Sequence, residues 1–203
     1  MGKPHRMLIA TANAHKVKEF REMLGEDRFE WMDLARTPAI PVPEETGETF
    51  RANACLKAAY YAKVLNTWAM ADDSGLEVDA LGGKPGVHSA RWAEMHSKGK
   101  GDKDNNRLLL EQMHEVSDEN RTARFVCCLA LANPDGKILL TARETVEGHV
   151  LREARGANGF GYDPLFYIDH MGKTTAELKS EEKHAISHRG KALRVMKKLL
   201  REL

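Results

Sequence analysis

Short apolar runs alternate along this chain with segments of helical spacing, and the alternation predicts its elements. Met7 to Ala10 is apolar and closes on Thr11-Ala12-Asn13. Asn13 is placed to cap a helix running to about Leu24, with Val17, Phe20 and Leu24 on one face. Trp31-Met32 begins a weaker strand, and Thr37 to Glu45, with Pro38, Pro41 and Pro43, is a loop. A helix from about Thr49 to Leu65 follows, with Phe50, Ala54, Tyr61 and Leu65 as its core stripe. Trp68 to Ala71 predicts a strand that ends on Asp72-Asp73, before a turn at Ser74-Gly75.

Gly82-Gly83-Lys84-Pro85-Gly86 reads as a loop, and Lys98 to Asp104 as a polar connection into a helix with Leu108, Leu109, Met113 and Val116. Arg121 to Ala132 alternates as a strand, with Ala123, Phe125, Cys127, Leu129 and Leu131 on one face. Asn133-Pro134-Asp135-Gly136 is a turn signal, and Ile138 to Val146 returns as the second arm of an antiparallel hairpin. Leu165 to Ile168 is a last short strand. Ala176 to His184 and Arg189 to Glu202 are helical, the latter with Leu193, Met196 and Leu200 turned inward. The expected fold class is α/β: a single domain over residues 1–203, with a long mixed, twisted β-sheet flanked by helices and two lobes around a central active-site cleft.

Composition narrows the function. The 203 residues are 42% hydrophobic and 30% charged, ordinary for a globular chain. A net charge of +1, from 31 basic and 30 acidic residues, disfavours a general polyanion surface, so any anion binding is local. No stretch reads as a signal peptide or a membrane span, and no membrane or stable nucleic-acid partner is expected. Cys55, Cys127 and Cys128 fit neither a disulfide framework nor a Cys-x-x-Cys metal spacing, which points to a reducing, cytoplasmic setting.

The chemistry gathers at element junctions. Asn13, Lys16 and Glu19 share one helix face at a helix start, where free amides and the macrodipole favour an anion. A capped helix with a solvated Lys/Glu pair would look the same. Glu44 and Glu45 lie in the proline-rich loop, where acids are commonly just solvated. Asp72 and Asp73 would repel at a strand end, and a divalent cation would hold both ionised. An Asx-turn into Ser74-Gly75 accounts for the same residues. Magnesium, which takes one or two carboxylates and phosphate oxygens, suits such a scattered acid set.

Phe160-Gly161-Tyr162-Asp163 sits among Gly156 and Gly159, so a backbone can approach a ligand beside an aromatic face; a tight turn before a core strand fits too. Lys183, His188, Arg189 and Lys191 suit phosphate or base-carbonyl contacts, against a solvated basic helix start. His184 and His188 lack a His-Glu-x-x-His pattern for zinc. Gly172-Lys173-Thr174 is no Walker A loop, since Tyr167 stands where the upstream glycine is needed, and no dinucleotide fingerprint follows the first strand.

Taken together, these segments resemble the inosine triphosphate pyrophosphatase family in its bacterial form. The resemblance is carried by Thr11 to Lys16 with Glu19, Glu44 to Gly47, Asn53 to Lys57, and Ala71-Asp72-Asp73-Ser74-Gly75-Leu76 with Val78 to Leu81. It continues through Pro85-Gly86-Val87 with Ser89-Ala90-Arg91, Gly159 to Pro164, and Ala176 to Leu178 through Lys183 to Leu193. The resemblance implies a homodimer that uses Mg2+ to convert noncanonical purine triphosphates (ITP, dITP, XTP) to the monophosphate and pyrophosphate, cleansing the nucleotide pool before DNA and RNA synthesis. It implies Glu44 and Asp73 as metal ligands, with Asp73 also the general base. Thr11, Ala12, Asn13, Ala14, His15, Lys16, Lys57 and Ser74 would hold phosphates. Phe160 would stack on the base, with Gly161, Tyr162, Asp163, Lys183, His188 and Arg189 around it. Ala12 departs from the glycine common there. The rival expectations are a pyrophosphatase for modified pyrimidine or ordinary deoxynucleoside triphosphates, and a non-catalytic nucleotide- or RNA-binding module.

Overall fold

Met7, Leu8 and Ile9 are fully buried, so strand β1 (His5–Ile9) is covered on both faces, the setting in which parallel strands occur. The protein is described by a computed structural model covering residues 5–25 and 29–203. After β1 come α1 (Ala14–Leu24), β2 (Phe29–Asp33), α2 (Phe50–Leu65) and β3 (Trp68–Val78). Then follow α3 (Trp92–Met95), α4 (Asp102–Gln112), β4 (Thr122–Ala132) and β5 (Ile138–Val150). The chain closes with β6 (Phe166–Ile168), β7 (Lys173–Thr174), α5 (Ser180–Ile186) and α6 (His188–Leu199).

One seven-stranded sheet runs in the order β2-β1-β3-β4-β5-β6-β7. It is mixed, as expected: β1 pairs in parallel with β2 and with β3, while β6 pairs antiparallel with β5 and with β7. The chain divides into two compact units, in keeping with the expected two lobes. The first holds the chain up to Asp73, Cys127–Glu144 and Arg189–Leu203. Its core joins Met7, Ile9 and Met70 of the sheet to Phe20 and Leu24 of α1, and to Leu193 and Met196 of α6, the stripes read from helical spacing. The second holds Ser74–Val126 and Thr145–His188, around a core that includes Leu76, Leu109, Phe125, Val146, Leu165 and Phe166.

Several expectations are corrected. Asp72 and Asp73 do not end a strand; β3 continues to Val78, so the two acids lie inside it. The glycine taken for a turn marks a close approach instead. Leu76 N donates to Ser89 Oγ at 2.9 Å and Ser89 Oγ donates to Gly86 O at 2.6 Å, and a Cβ on Gly75 would collide with both oxygens. Gly75→Ala is therefore expected to cost about 1–3 kcal/mol through overpacking. Chemical denaturation checks this, and an unchanged midpoint would show that the neighbours yield.

Strand β4 is buried on both faces from Phe125 onward, not on one, as suits a strand with neighbours on either side. Helix α4 begins at Asp102, within the stretch expected to be a connection. Residues 176–179 are not helical. Asn158 takes up Ala176 O and Leu178 O, and Glu177 accepts from Thr174 N at 2.7 Å, so those groups are spent outside a helix.

Candidate active site

Successive side chains on a strand face opposite ways, and this separates the paired acids of β3. Asp72 is fully buried and accepts from Lys16 Nζ, from Arg189 Nε at 2.9 Å and from Cys127 Sγ at 3.2 Å. Arg189 in turn donates to Glu19 Oε2 at 2.6 Å. Burial alone would raise the Asp72 pKa, but Arg189 and Lys16 outweigh it and hold the carboxyl well below its ordinary range. Asp73 meets a different set: Lys57 Nζ at 2.7 Å and Asn53 Nδ2 at 3.4 Å. Lys57 also donates to Glu45 Oε1 at 2.8 Å. Each acid thus has its own cations, and no single ion is needed to keep both charged.

Burial raises the Asp73 pKa, and the opposing pull of Lys57 does not cancel it. A carboxylate so placed is a stronger base than one in water. Burial works against the Lys57 ammonium, yet Asp73 and Glu45 raise its pKa on balance, so it stays charged through neutral pH.

Local sequence explains the placements. Asn53 and Lys57 are four apart on α2, which puts them on one helix face, and Thr49 caps that helix by accepting from Ala52 N at 3.1 Å. Asn13 caps α1, its Oδ1 accepting from His15 N at 2.9 Å and Lys16 N at 3.2 Å, while Thr11 Oγ1 accepts from Asn13 N. The segment 11–16 therefore does form the start of a helix. Lys16 has three ammonium donors, of which Asp72 takes one. Glu44 is exposed and makes no hydrogen bond or ion pair with another described residue; its neighbour Glu45 is the acid that reaches Lys57.

The pairing of Asp72 gives a pH prediction. Its folded pKa lies below the unfolded value, so the stabilisation is complete above 3.8 and is lost as pH falls from there toward the folded value. Unfolding midpoints followed from about pH 5 down to about pH 2 should drop more steeply for the parent protein than for Asp72→Asn. Parallel curves would contradict the pairing.

The second unit carries the aromatic turn. Phe160 is half-buried, and its N–H donates to Asp163 Oδ2 at 2.8 Å. Asp163 also accepts from Lys183 Nζ at 2.5 Å and from Thr175 Oγ1 at 2.8 Å. The Lys183 ammonium lies 5.0 Å from the centre of the Phe160 ring, within cation–π reach. Tyr162 is buried, and its hydroxyl donates to Ser89 O at 3.0 Å, so it anchors the turn. Burial pushes that hydroxyl's pKa up, keeping it a neutral donor. His188 is buried with its ring stacked on Phe125, centroids 4.8 Å apart. Ser74 is the first residue of this unit.

The sites expected for phosphate and metal thus fall mainly in the first unit, with Arg189 beside them, and the remaining residues expected around a base fall in the second. Sequence reasoning assigned no site role to Asn53 or Cys127 and showed no sign of the contact of Glu45 with Lys57. The four-residue spacing of Asn53 and Lys57 was a usable signal. Nothing local links Cys127 to Asp72, 55 residues away.

A family model matches residues 7–199 and describes the Ham1 family. The chain belongs to the Ham1 family. This Ham1 chain is 48% identical to a protein of Bacillus anthracis named dITP/XTP pyrophosphatase, over 97% of this chain and 96% of that one. It is 49% identical to a protein of Exiguobacterium sibiricum with the same name, over 96% of each. Among solved structures, a HAM1 protein from Coxiella burnetii superposes with a TM-score of 0.88 at 39% identity, covering 98% of this chain and all of that one. A nucleoside-triphosphatase/dITP/XTP pyrophosphatase from Mycobacterium abscessus gives 0.76 at 40% identity, covering 94% of this chain and 98% of that one.

Proposed function

We propose that this Ham1 chain hydrolyses noncanonical purine nucleoside triphosphates (ITP, dITP and XTP) to the monophosphate and pyrophosphate. The observation that carries this reading is Asp73: a buried carboxylate with a raised pKa, beside the ammonium of Lys57 and the amide of Asn53. Relatives that carry the name dITP/XTP pyrophosphatase match it over nearly their whole length, which also supports one functional domain across the chain.

Asp73 would take the proton from an attacking water. Lys16 and Lys57, each with ammonium donors to spare, would bind phosphate oxygens and lower the charge that builds as the phosphoanhydride bond between nucleotide and pyrophosphate breaks. The donors at residues 11–15 and Ser74 would hold the remaining oxygens. The half-buried Phe160 would stack on the base, with Asp163, Lys183 and His188 fixing its surroundings and Tyr162 anchoring the turn.

A divalent cation fits this donor set. The Lys57 ammonium sits between Asp73 and Glu45, so these carboxylates already gather around positive charge. Among the described residues no group of three or more His, Cys, Asp or Glu forms a ready metal cage. Magnesium needs none, because it binds through one or two carboxylates plus substrate phosphates. Asp73 and Glu44 would hold it, with Glu45 beside them. When bound it would neutralise phosphate charge and activate water. Glu44→Gln is then expected to lower turnover, with partial recovery at higher magnesium; no recovery and unchanged metal affinity would remove Glu44 from the ligand set.

Inosine and xanthine present a carbonyl at the purine 6-position where adenine presents an amine. The Lys183 ammonium can donate to that carbonyl. A site built around such donors leaves adenine's amine unmatched, a mismatch that is worth orders of magnitude in a specificity pocket. A nucleotide panel with magnesium tests this. ITP, dITP and XTP should exceed ATP and dCTP in kcat/KM by roughly a hundredfold or more; equal rates would contradict the reading. No helix among the described residues is long and apolar enough to cross a membrane. In this reading the chain would work on the cytoplasmic nucleotide pool, as a homodimer.

A further inference from the structure

Helix α4 carries chemistry that the proposed reaction leaves unused. Asp102 opens it and Asn106 follows one turn later, so both sit on one face. Asp102 Oδ2 accepts from Gly161 N at 2.7 Å, and Asn106 Nδ2 donates to Gly161 O at 2.9 Å. One glycine in the aromatic turn is thus gripped at its N–H and its C=O by the same helix.

Both contacts look selected by geometry. Gly161 has φ of 62°, a left-handed conformation open to glycine, whose backbone is also the freest to leave it, so the two contacts restrain a peptide that glycine itself does not. Asn106 keeps its amide aimed at Gly161 O although its own Oδ1 is buried without a hydrogen-bond partner among the described residues. The reverse orientation would set two oxygens against each other.

The helix is itself rigidly placed. Asn105 Oδ1 accepts from Ala93 N at 2.8 Å, Asn105 Nδ2 donates to Ala90 O at 3.2 Å, and Leu108 and Leu109 are buried. On its other side the turn is closed by Asp163, which accepts from Phe160 N. Phe160 therefore stands between an internal tie through Asp163 and an external one through α4.

We propose that Asp102 and Asn106 are positioning residues, which hold the Gly161 peptide and so fix the Phe160 ring in the attitude needed to stack on a purine. The inference rests on the proposed role of Phe160. Neither side chain touches substrate in this scheme. They act by removing freedom from the turn before the base arrives, so their loss weakens binding and leaves the chemical step at Asp73 alone.

Two measurements test it, one of them independent of activity. Amide hydrogen exchange on the intact protein should show Gly161 N–H protected, and at least about tenfold less protected in Asp102→Ala. Steady-state kinetics with ITP and magnesium should show KM raised about tenfold in the Asp102→Ala/Asn106→Ala double variant, with kcat changed less than about twofold and the unfolding midpoint held. Asp102→Asn keeps an acceptor oxygen and should recover most of the loss, whereas Asn106→Asp sets an anion against Gly161 O and should not. Unaltered exchange at Gly161, or an unchanged KM in the double variant, would overturn the proposal. If the parent protein does not hydrolyse ITP at all, the functional reading fails, and the exchange result still decides the clamp.

Discussion

Asp73→Asn is expected to leave a folded protein that hydrolyses ITP at least about a hundredfold more slowly, since general-base and metal-binding roles are each worth that much or more. Asparagine keeps the shape of the side chain and loses the charge that accepts a proton. The fold should survive for a specific reason. The raised pKa of Asp73 means that the folded protein disfavours its ionised form, so a neutral group of the same size is tolerated there. Lys57 retains Glu45 at 2.8 Å as a charged partner. ITP turnover and thermal unfolding measured together check both halves. Turnover like that of the parent would remove Asp73 from the mechanism.

Asp72→Ala should do the opposite and damage the structure first. Its carboxylate and the Arg189 guanidinium are 0% and 2% exposed, and their removal from water is compensated chiefly by each other, Lys16 and Glu19. Deleting one partner of such a buried pair costs about 3–5 kcal/mol. For a chain of this size that is a fall in Tm on the order of 10 °C. Arg189→Ala should destabilise similarly and reduce ITP and ATP hydrolysis by similar factors, because the guanidinium is engaged with Asp72 and Glu19. A much larger loss on ITP than on ATP would mean that Arg189 reads the base, as the family resemblance implies. A Tm within about 2 °C of the parent in both variants would mean that the cluster carries little stability.

Much of this arrangement was legible in the sequence where local chemistry is decisive. Asn13 and Thr49 are cap residues before helical stripes, and both helices begin where those caps stand. Asn133-Pro134-Asp135-Gly136 turns as its residues demand, with Gly136 N donating to Asn133 O at 2.8 Å. The failures share a cause, which is contact between distant segments. Gly75 looked like a turn residue because its reason for being glycine, Ser89, lies 14 positions on. Asp72 and Asp73 looked like one metal-binding pair because nothing nearby in sequence reveals that Arg189, 117 residues away, neutralises the first of them. The start of α4 was hidden in a run of charged residues, since Asp102 is held by a peptide 59 residues downstream. Spacing reports which face a residue shares, and it is silent on which cation the fold brings to that face.

The most direct measurement is product analysis of the protein incubated with ITP and magnesium. IMP and pyrophosphate should appear in equal amounts, with nothing released when the metal is chelated. Release of IDP and orthophosphate would place the cleavage at the wrong bond, and an absence of any product would contradict hydrolysis by this Ham1 chain altogether.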